Sequence, residues 1–361
     1  MTSLTTTRPY DPSRKPSLRK RFFSRRADTV ISLVGTTFVV WVLWHLLTWA
    51  VFNAVWTSPD GTSAVCRDIK GACWAVINVR WRLILFGLFP YDEQWRSTLA
   101  CLAIVIVAIL SCVPKFWTMP RLGLLWVVGF AVFYTLMAGG VMGLRATSPS
   151  EWGGLTLTVF IYAAGMLIGM PMAIALALMR RSELPLIAKT TGLLIDTVRS
   201  LPLITILFTA ALVLPLALPP ALIGDKIWRV IIGFALFFAA YEAENIRSGI
   251  QALPAGQEEA ARALGLTYWQ RTTRVILPQA FRNALPPTIN QFVISFKETS
   301  LIVIIGFFDV MASGKAAYGS GDWAFAWVEV YGFVAMIYFV FVFSLSRYGA
   351  YLERRLRVGK H

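Results

Sequence analysis

LPAGQEEAARALGLTYWQRTTRVILPQAFRNALPPTIN, from Leu253 to Asn290, is a polar stretch set between apolar ones, and it carries four arginines. Ala260, Ala261 and Ala263 favour helix and leave room for a close neighbour. Glu258 and Glu259 stand near the start of that helix, where negative charge suits the dipole. Arg262 follows them at spacings of four and three, within reach of both. Gly265 is expected to stop the helix. Leu277-Pro278 is expected to end a second short helix and turn the chain back. A structured polar loop of this kind reads as a surface offered to a partner.

What surrounds the loop is membrane-like. The chain has 361 residues, of which 57% are hydrophobic and only 15% charged, against about 25% charged in soluble domains. Its mean hydropathy is +0.63. A spanning helix needs roughly 20 apolar residues. Eight stretches qualify: Val30–Phe52, Ser97–Val113, Leu122–Leu144, Trp152–Met179, Leu201–Gly224, Trp228–Gly249, Pro287–Phe308 and Val330–Ser346. The expected fold class is an all-α polytopic membrane protein of about eight transmembrane helices. Residues 75–89 carry Arg80 and Arg82 and are expected to lie at the interface, with Trp81 at headgroup level.

Eight spans place four basic regions on one side: the arm from Arg8 to Arg26, Arg180 with Arg181, the loop around Arg262 to Arg282, and the tail from Arg354 to Lys360. The positive-inside rule then puts both termini in the cytoplasm. The loop 53–96 falls outside, with five basic and four acidic residues. The net charge of +15 follows from this bias. A nucleic-acid binder would need a basic, aromatic-lined face on a soluble module, and no stretch is suited to that. The arm, residues 1–28, is rich in Ser, Thr, Pro and Arg and is expected to be disordered.

Catalytic chemistry is poorly supplied. His45 and His361 are the only histidines, which leaves no set for a His-based metal site or triad. Gly314-Lys315 is followed by Ala316 and lacks the earlier glycine of a phosphate-binding loop. Cys66 and Cys73 lie in the outer loop, where a disulfide is open to them in an oxidising compartment. Cys101 and Cys112 fall in or at the end of a span, as small apolar residues.

Glu259-Ala260-Ala261, three residues, Gly265, nine residues, Val275, then Leu277-Pro278 resembles the EAA loop of permease subunits of bacterial ABC importers. That family has isoleucine where Val275 stands. Tyr241-Glu242-Ala243-Glu244, Arg247, Gly249, Pro254, Gly256, Gln257, Leu277-Pro278-Gln279-Ala280, Asn290 and Lys297-Glu298-Thr299-Ser300-Leu301 resemble its polar amino acid branch. Arg199-Ser200-Leu201-Pro202-Leu203 is similar to that branch's Arg-Gly-x-Pro-Leu signature, departing at Ser200; Ser248 is a second departure from glycine.

The resemblance implies a five-span type I importer permease core over 151–355, with a cytoplasmic coupling loop at 251–286 and a basic tail at 356–361. Residues 29–150 would be a three-span extension, similar to the larger permeases of general L-amino acid importers. The implied function is that of a permease subunit in an ATP-driven amino acid importer of the bacterial inner membrane. Implied partners are ABC ATPase subunits, a second and different permease, an extracytoplasmic amino-acid-binding protein and the lipid bilayer. This chain would bind no cofactor and would be no enzyme; ATP and Mg would be held by the ATPase. The same architecture serves importers of other small polar solutes. A stand-alone secondary transporter would show repeated halves, which are not seen.

Glu259, Ala260, Ala261, Gly265, Leu277 and Pro278 are then the expected ATPase-coupling residues. Tyr241, Glu244, Asn290, Lys297, Thr299 and Ser300 are candidates for the substrate path, since intramembrane polar groups default to function. Against that, Glu244–Arg247 and Asp196–Arg199 are each three apart and are expected to neutralise themselves. Pro202, Pro215 and Pro286-Pro287 are expected to bend spans, and Gly233 and Gly306 to allow close helix contact.

Overall fold

The computed structural model describes residue 22, residues 25–319 and residues 321–357. Most of the expected disordered arm (1–28) and of the basic tail (356–361) lies outside the described residues. The chain forms two compact units, Met1–Ala75 and Val76–His361.

In lipid every backbone polar group must be satisfied within the segment, so these apolar runs fold as helices. The first unit holds α1 (Arg26–Phe52), which has no buried residue. After α1 the chain folds back on itself: Ala72 N–H donates to Trp49 O at 2.8 Å and Trp74 Nε1 to Ala50 O at 2.7 Å. Cys66 and Cys73 are joined by a disulfide, their Cα atoms 5.9 Å apart.

The second unit contains all but the first residue of α2 (Ala75–Phe86), then α3 (Tyr91–Ser111), α4 (Met119–Ala138) and α5 (Gly154–Arg180). Next come α6 (Pro185–Ser200), α7 (Leu203–Ala217), α8 (Lys226–Gln251) and α9 (Ala255–Ala263). It ends with α10 (Tyr268–Ile305), α11 (Val310–Gly319) and α12 (Trp327–Arg357).

Among the described residues six helices are long and apolar enough to cross a membrane, and a seventh if the pair α6–α7, bent by 106° at Leu201-Pro202, is counted. The expected eight is therefore not met by length and composition. The difference is α8, whose 26 residues include Lys226, Arg229, Glu242, Glu244 and Arg247. With 12 residues α2 is about 18 Å long, too short for a hydrocarbon core of roughly 30 Å. Its Arg82 Nε donates to Gln94 Oε1 at 2.6 Å, and the guanidinium carbon lies 3.5 Å from the centre of the Tyr91 ring.

The centre of this unit is α5 against α8 against α10. Small residues set the approach. A Cβ on Gly165 would fall 2.5 Å from Phe234 Cδ1, and one on Gly169 2.7 Å from Phe238 Cδ1, so the spacing of four lets two Phe rings of α8 lie on the α5 backbone. Gly249 does the same on the α10 side, its added Cβ 2.4 Å from Ala280 O. A Cβ on Gly233 would fall 3.0 Å from Ala210 Cβ, the close helix approach expected there. Gly306 does not serve helix contact: it ends α10 at φ +85°, where Lys226 Nζ donates to Ile305 O at 2.6 Å.

Two arginine side chains, one buried and one half-buried, tie the irregular backbone. Arg96 is fully buried between α3 and α4, donating to Leu136 O at 2.7 Å and Arg145 O at 2.9 Å. In α7 a π turn over Thr209–Val213 precedes Pro215. Proline has no N–H for the carbonyl four residues back, Ala211. Arg229 supplies the donor at 3.2 Å and also bonds Ala210, Ile223 and Gly224.

Candidate functional site

The polar loop folds as α9, a tight turn and the start of α10. Leu266 N–H donates to Ala261 O at 3.2 Å and Gly265 N–H to Arg262 O at 3.0 Å, the paired bonds of a Schellman motif. Gly265 holds φ +73°, which the motif requires, and an added Cβ there would meet nothing within 4 Å. Thr267 then caps α10 through a capping box with Gln270. Leu277-Pro278 does not end a short helix. The chain passes a π turn at Thr272–Ile276 and continues as one helix to Ile305, because Pro278 stands in the first turn after the π turn.

Only Ala261 of α9 is buried, at 4% exposure. Glu259, Ala260 and Gly265 are exposed, as is Pro278; Leu277 is half-buried against the core. Beside them Leu264 is 80% and Trp269 67% exposed. The turn therefore presents large apolar side chains that are mostly exposed. Arg262 does not pair within α9. Its Nη2 lies 3.7 Å from Glu183, and Arg181 Nη2 lies 3.4 Å from Glu258. Two crossed ion pairs thus hold α9 against the turn between α5 and α6. The i, i+4 rule sees only contacts along one helix, which is why sequence reasoning missed them.

A second polar cluster joins α5, α6 and α8. Glu244, its side chain 12% exposed, receives Arg247 Nη2 at 2.7 Å, Arg180 Nη1 at 3.0 Å and Arg199 Nη1 at 3.8 Å. Asp196 takes a bidentate pair from Arg180, at 3.0 and 3.2 Å, rather than pairing with Arg199. The Arg199 guanidinium instead lies over the Tyr241 ring at 5.2 Å, and Tyr241 Oη donates to Arg199 O at 3.2 Å. Three guanidiniums face two carboxylates. Arg180 was legible only as part of the basic bias between spans.

The remaining path candidates lie on α10. The helices α8 and α10 are antiparallel in a fixed register: Glu242 meets Thr288 and Phe238 meets Phe292. Asn290, exposed, therefore lies level with Tyr241. Thr299 and Ser300 lie about 15 Å further along the axis. Thr299 is buried, donating to Phe296 O at 2.7 Å and lying 3.3 Å from Tyr338 Oη. Ser300 donates to Lys297 O at 2.8 Å, and Lys297 itself is exposed. Tyr241, Glu244 and Asn290 thus share one level, while Lys297, Thr299 and Ser300 belong to another. Fully buried Glu242 accepts from Thr288 and from Asn245 at 2.9 Å, so both its oxygens are satisfied across α8 and α10.

Residues 165–358 match the family of binding-protein-dependent transport system inner membrane components. The inner membrane amino-acid ABC transporter permease protein YhdY of Escherichia coli K12 is 38% identical over 95% of this chain and 93% of its own. The glutamate/glutamine/aspartate/asparagine transport system permease protein BztC of Rhodobacter capsulatus is 33% identical, covering 94% of this chain and 93% of its own. A solved amino acid ABC transporter with histidines is 32% identical over 56% of this chain and 92% of that one, with a TM-score of 0.50.

Proposed function

The chain belongs to the family of binding-protein-dependent transport system inner membrane components, and from that premise we propose how it works within an ATP-driven amino acid importer. It is a transport permease rather than an enzyme. The reading of amino acids as the substrate class rests on likeness to permeases of that name along nearly the whole chain.

The observation that carries the coupling role is the exposed turn of α9. A helix with one buried residue, closed by a Schellman motif and flanked by exposed Leu264 and Trp269, is a ready seat for another protein. The partner is an ABC ATPase subunit that holds ATP and Mg. When two such subunits close, α9 moves. The crossed pairs Arg181–Glu258 and Arg262–Glu183 carry the motion to α5 and α6, and the Glu244 cluster carries it to α8. The substrate path runs between this chain and a second, different permease, with Tyr241, Glu244 and Asn290 at its inner end and Lys297, Thr299 and Ser300 further out. An extracytoplasmic binding protein delivers the amino acid. Both termini are cytoplasmic, residues 29–150 form the extension and 151–355 the permease core.

Uptake of a panel of radiolabelled amino acids in cells deleted for this chain tests the reading. Loss of uptake for a subset of amino acids, restored by the chain on a plasmid, is expected. Unchanged uptake of all of them, with loss of another polar solute, would overturn the substrate class.

A further inference from the structure

A basic site lies at the end of the second unit where α3 meets α12, and nothing in the coupling account uses it. Tyr348 Oη on α12 donates to Cys112 O, just past the end of α3, at 3.0 Å. This bond brings two parts of the chain together that are 236 residues apart in sequence. The turn that follows Cys112 carries Lys115, and Arg121 reaches back to it, Nη1 donating to Lys115 O at 3.1 Å. From the α12 side come Arg347, adjacent to Tyr348, and Arg355, two turns beyond it, whose Nη1 lies 3.5 Å from Tyr351 Oη. All four basic side chains are exposed. No carboxylate of the described residues lies within 4.0 Å of any of them. Elsewhere in this unit exposed arginines do find acids, as Arg262 and Arg181 show.

The same ridge of α12 changes character one turn earlier. Phe339, Phe343, Arg347 and Tyr351 recur every four residues and so lie on one stripe. Phe339 and Phe343 are 62% and 51% exposed and stack with ring centres 5.4 Å apart. An exposed apolar run thus passes directly into a set of cations that have no carboxylate partner among the described residues, at the end of a span. A soluble anion would use the cations alone. A molecule with a phosphodiester at one end and acyl chains at the other uses both halves. Basic pockets between spanning helices are suited to such headgroups.

We infer that Lys115, Arg121, Arg347 and Arg355 form a headgroup site for an anionic phospholipid whose acyl chains lie along Phe339 and Phe343. The bound phosphodiester ties the α3–α4 turn to α12, and so ties the extension to the permease core at one end. The site does not depend on which solute is transported.

Native mass spectrometry of the full-length chain, titrated with phosphatidylglycerol and separately with phosphatidylcholine, tests this. Phosphatidylglycerol is expected to bind first and more tightly. The variant Lys115→Gln/Arg347→Gln/Arg355→Gln is expected to lose on the order of 100-fold of that preference, at about fivefold per charge near the surface. Phe339→Ala/Phe343→Ala, which changes no charge, is expected to weaken phosphatidylglycerol binding too. Arg262→Gln/Arg274→Gln, basic residues of the polar loop, is expected to leave it unchanged. An equal loss in that control would mean diffuse surface charge and overturn the site. Full competition by soluble glycerol phosphate would mean a free-anion site and overturn the lipid. Unaltered binding in the triple variant, with thermal unfolding like the parent, would overturn both.

Discussion

Glu258 on α9 lies 3.4 Å from Arg181, the residue that follows the last turn of α5. With Arg262–Glu183 at 3.7 Å, it makes a crossed clamp between the polar loop and the preceding turn. Both pairs are solvent-exposed and contribute at most about 1 kcal/mol each to stability. Their effect is on orientation. Arg181→Glu is expected to reduce uptake severalfold with little change in unfolding temperature, and Arg181→Glu/Glu258→Arg to restore much of it. A double-mutant cycle on uptake rates measures this coupling; strict additivity of the two single variants would remove the clamp from the account.

Gly265 at φ +73° sits where an L side chain costs about 1–2 kcal/mol of backbone strain. There is space for a Cβ, so Gly265→Val strains the turn without filling a packed core. The variant is expected to insert and fold, while uptake falls on the order of tenfold, the scale of ~1.4 kcal/mol of lost coupling. Assays of membrane abundance alongside uptake separate these outcomes, and full uptake would show the turn geometry to be dispensable.

Gly249→Ala is expected to destabilise the chain by about 1–3 kcal/mol through overpacking. The added Cβ would stand 2.4 Å from a backbone atom of α10, Ala280 O, which has no side-chain freedom to yield. Gly256→Ala on exposed α9, where a Cβ meets nothing within 4 Å, is expected to leave stability unchanged or raise it by up to about 1 kcal/mol through helix propensity. Thermal unfolding of the purified chain in detergent compares the two.

Asp309 lies between the spans α10 and α12 and is fully buried. One carboxylate oxygen caps α11, accepting from Ala312 N–H at 2.9 Å, and the other has no hydrogen-bond partner among the described residues. Burial pushes this carboxyl up from its ordinary 3.8 to about 7, against the pull of its backbone hydrogen bonds. The folded state therefore holds a proton that the unfolded state releases between those two values. Asp309's contribution to stability is full below about pH 4, declines as pH rises towards 7, and is flat above that. Asp309→Asn keeps a capping side chain and is expected to raise the unfolding temperature at pH 8 but not at pH 4. Parallel pH profiles for variant and parent would reject the assignment.

How far the sequence carries can be judged from particular residues. Gly265 is legible because a glycine after an Ala-rich charged run has one good use, and the Schellman bonds show it. The family is legible because Glu259 to Pro278 forms a long, specific pattern. The amphipathic α6 is hidden because it falls in the stretch after Arg181 that reads as a connector, and Pro202 sets its 106° turn into α7. The partners of Asp196 and Arg262 are hidden because both are reached across helices, from Arg180 and Glu183. Pro278 misleads because proline tolerates the first turn of a helix, and a π turn just before it lets α10 run on.

The most direct measurement is photo-crosslinking from position 264 in the assembled transporter. A photoreactive phenylalanine is placed at Leu264, which is 80% exposed beside the Gly265 turn. The account predicts a crosslink to a separate ATPase subunit, altered when ATP is trapped. Labelling of that position from outside intact cells by a membrane-impermeant reagent, with no ATPase adduct, would contradict it.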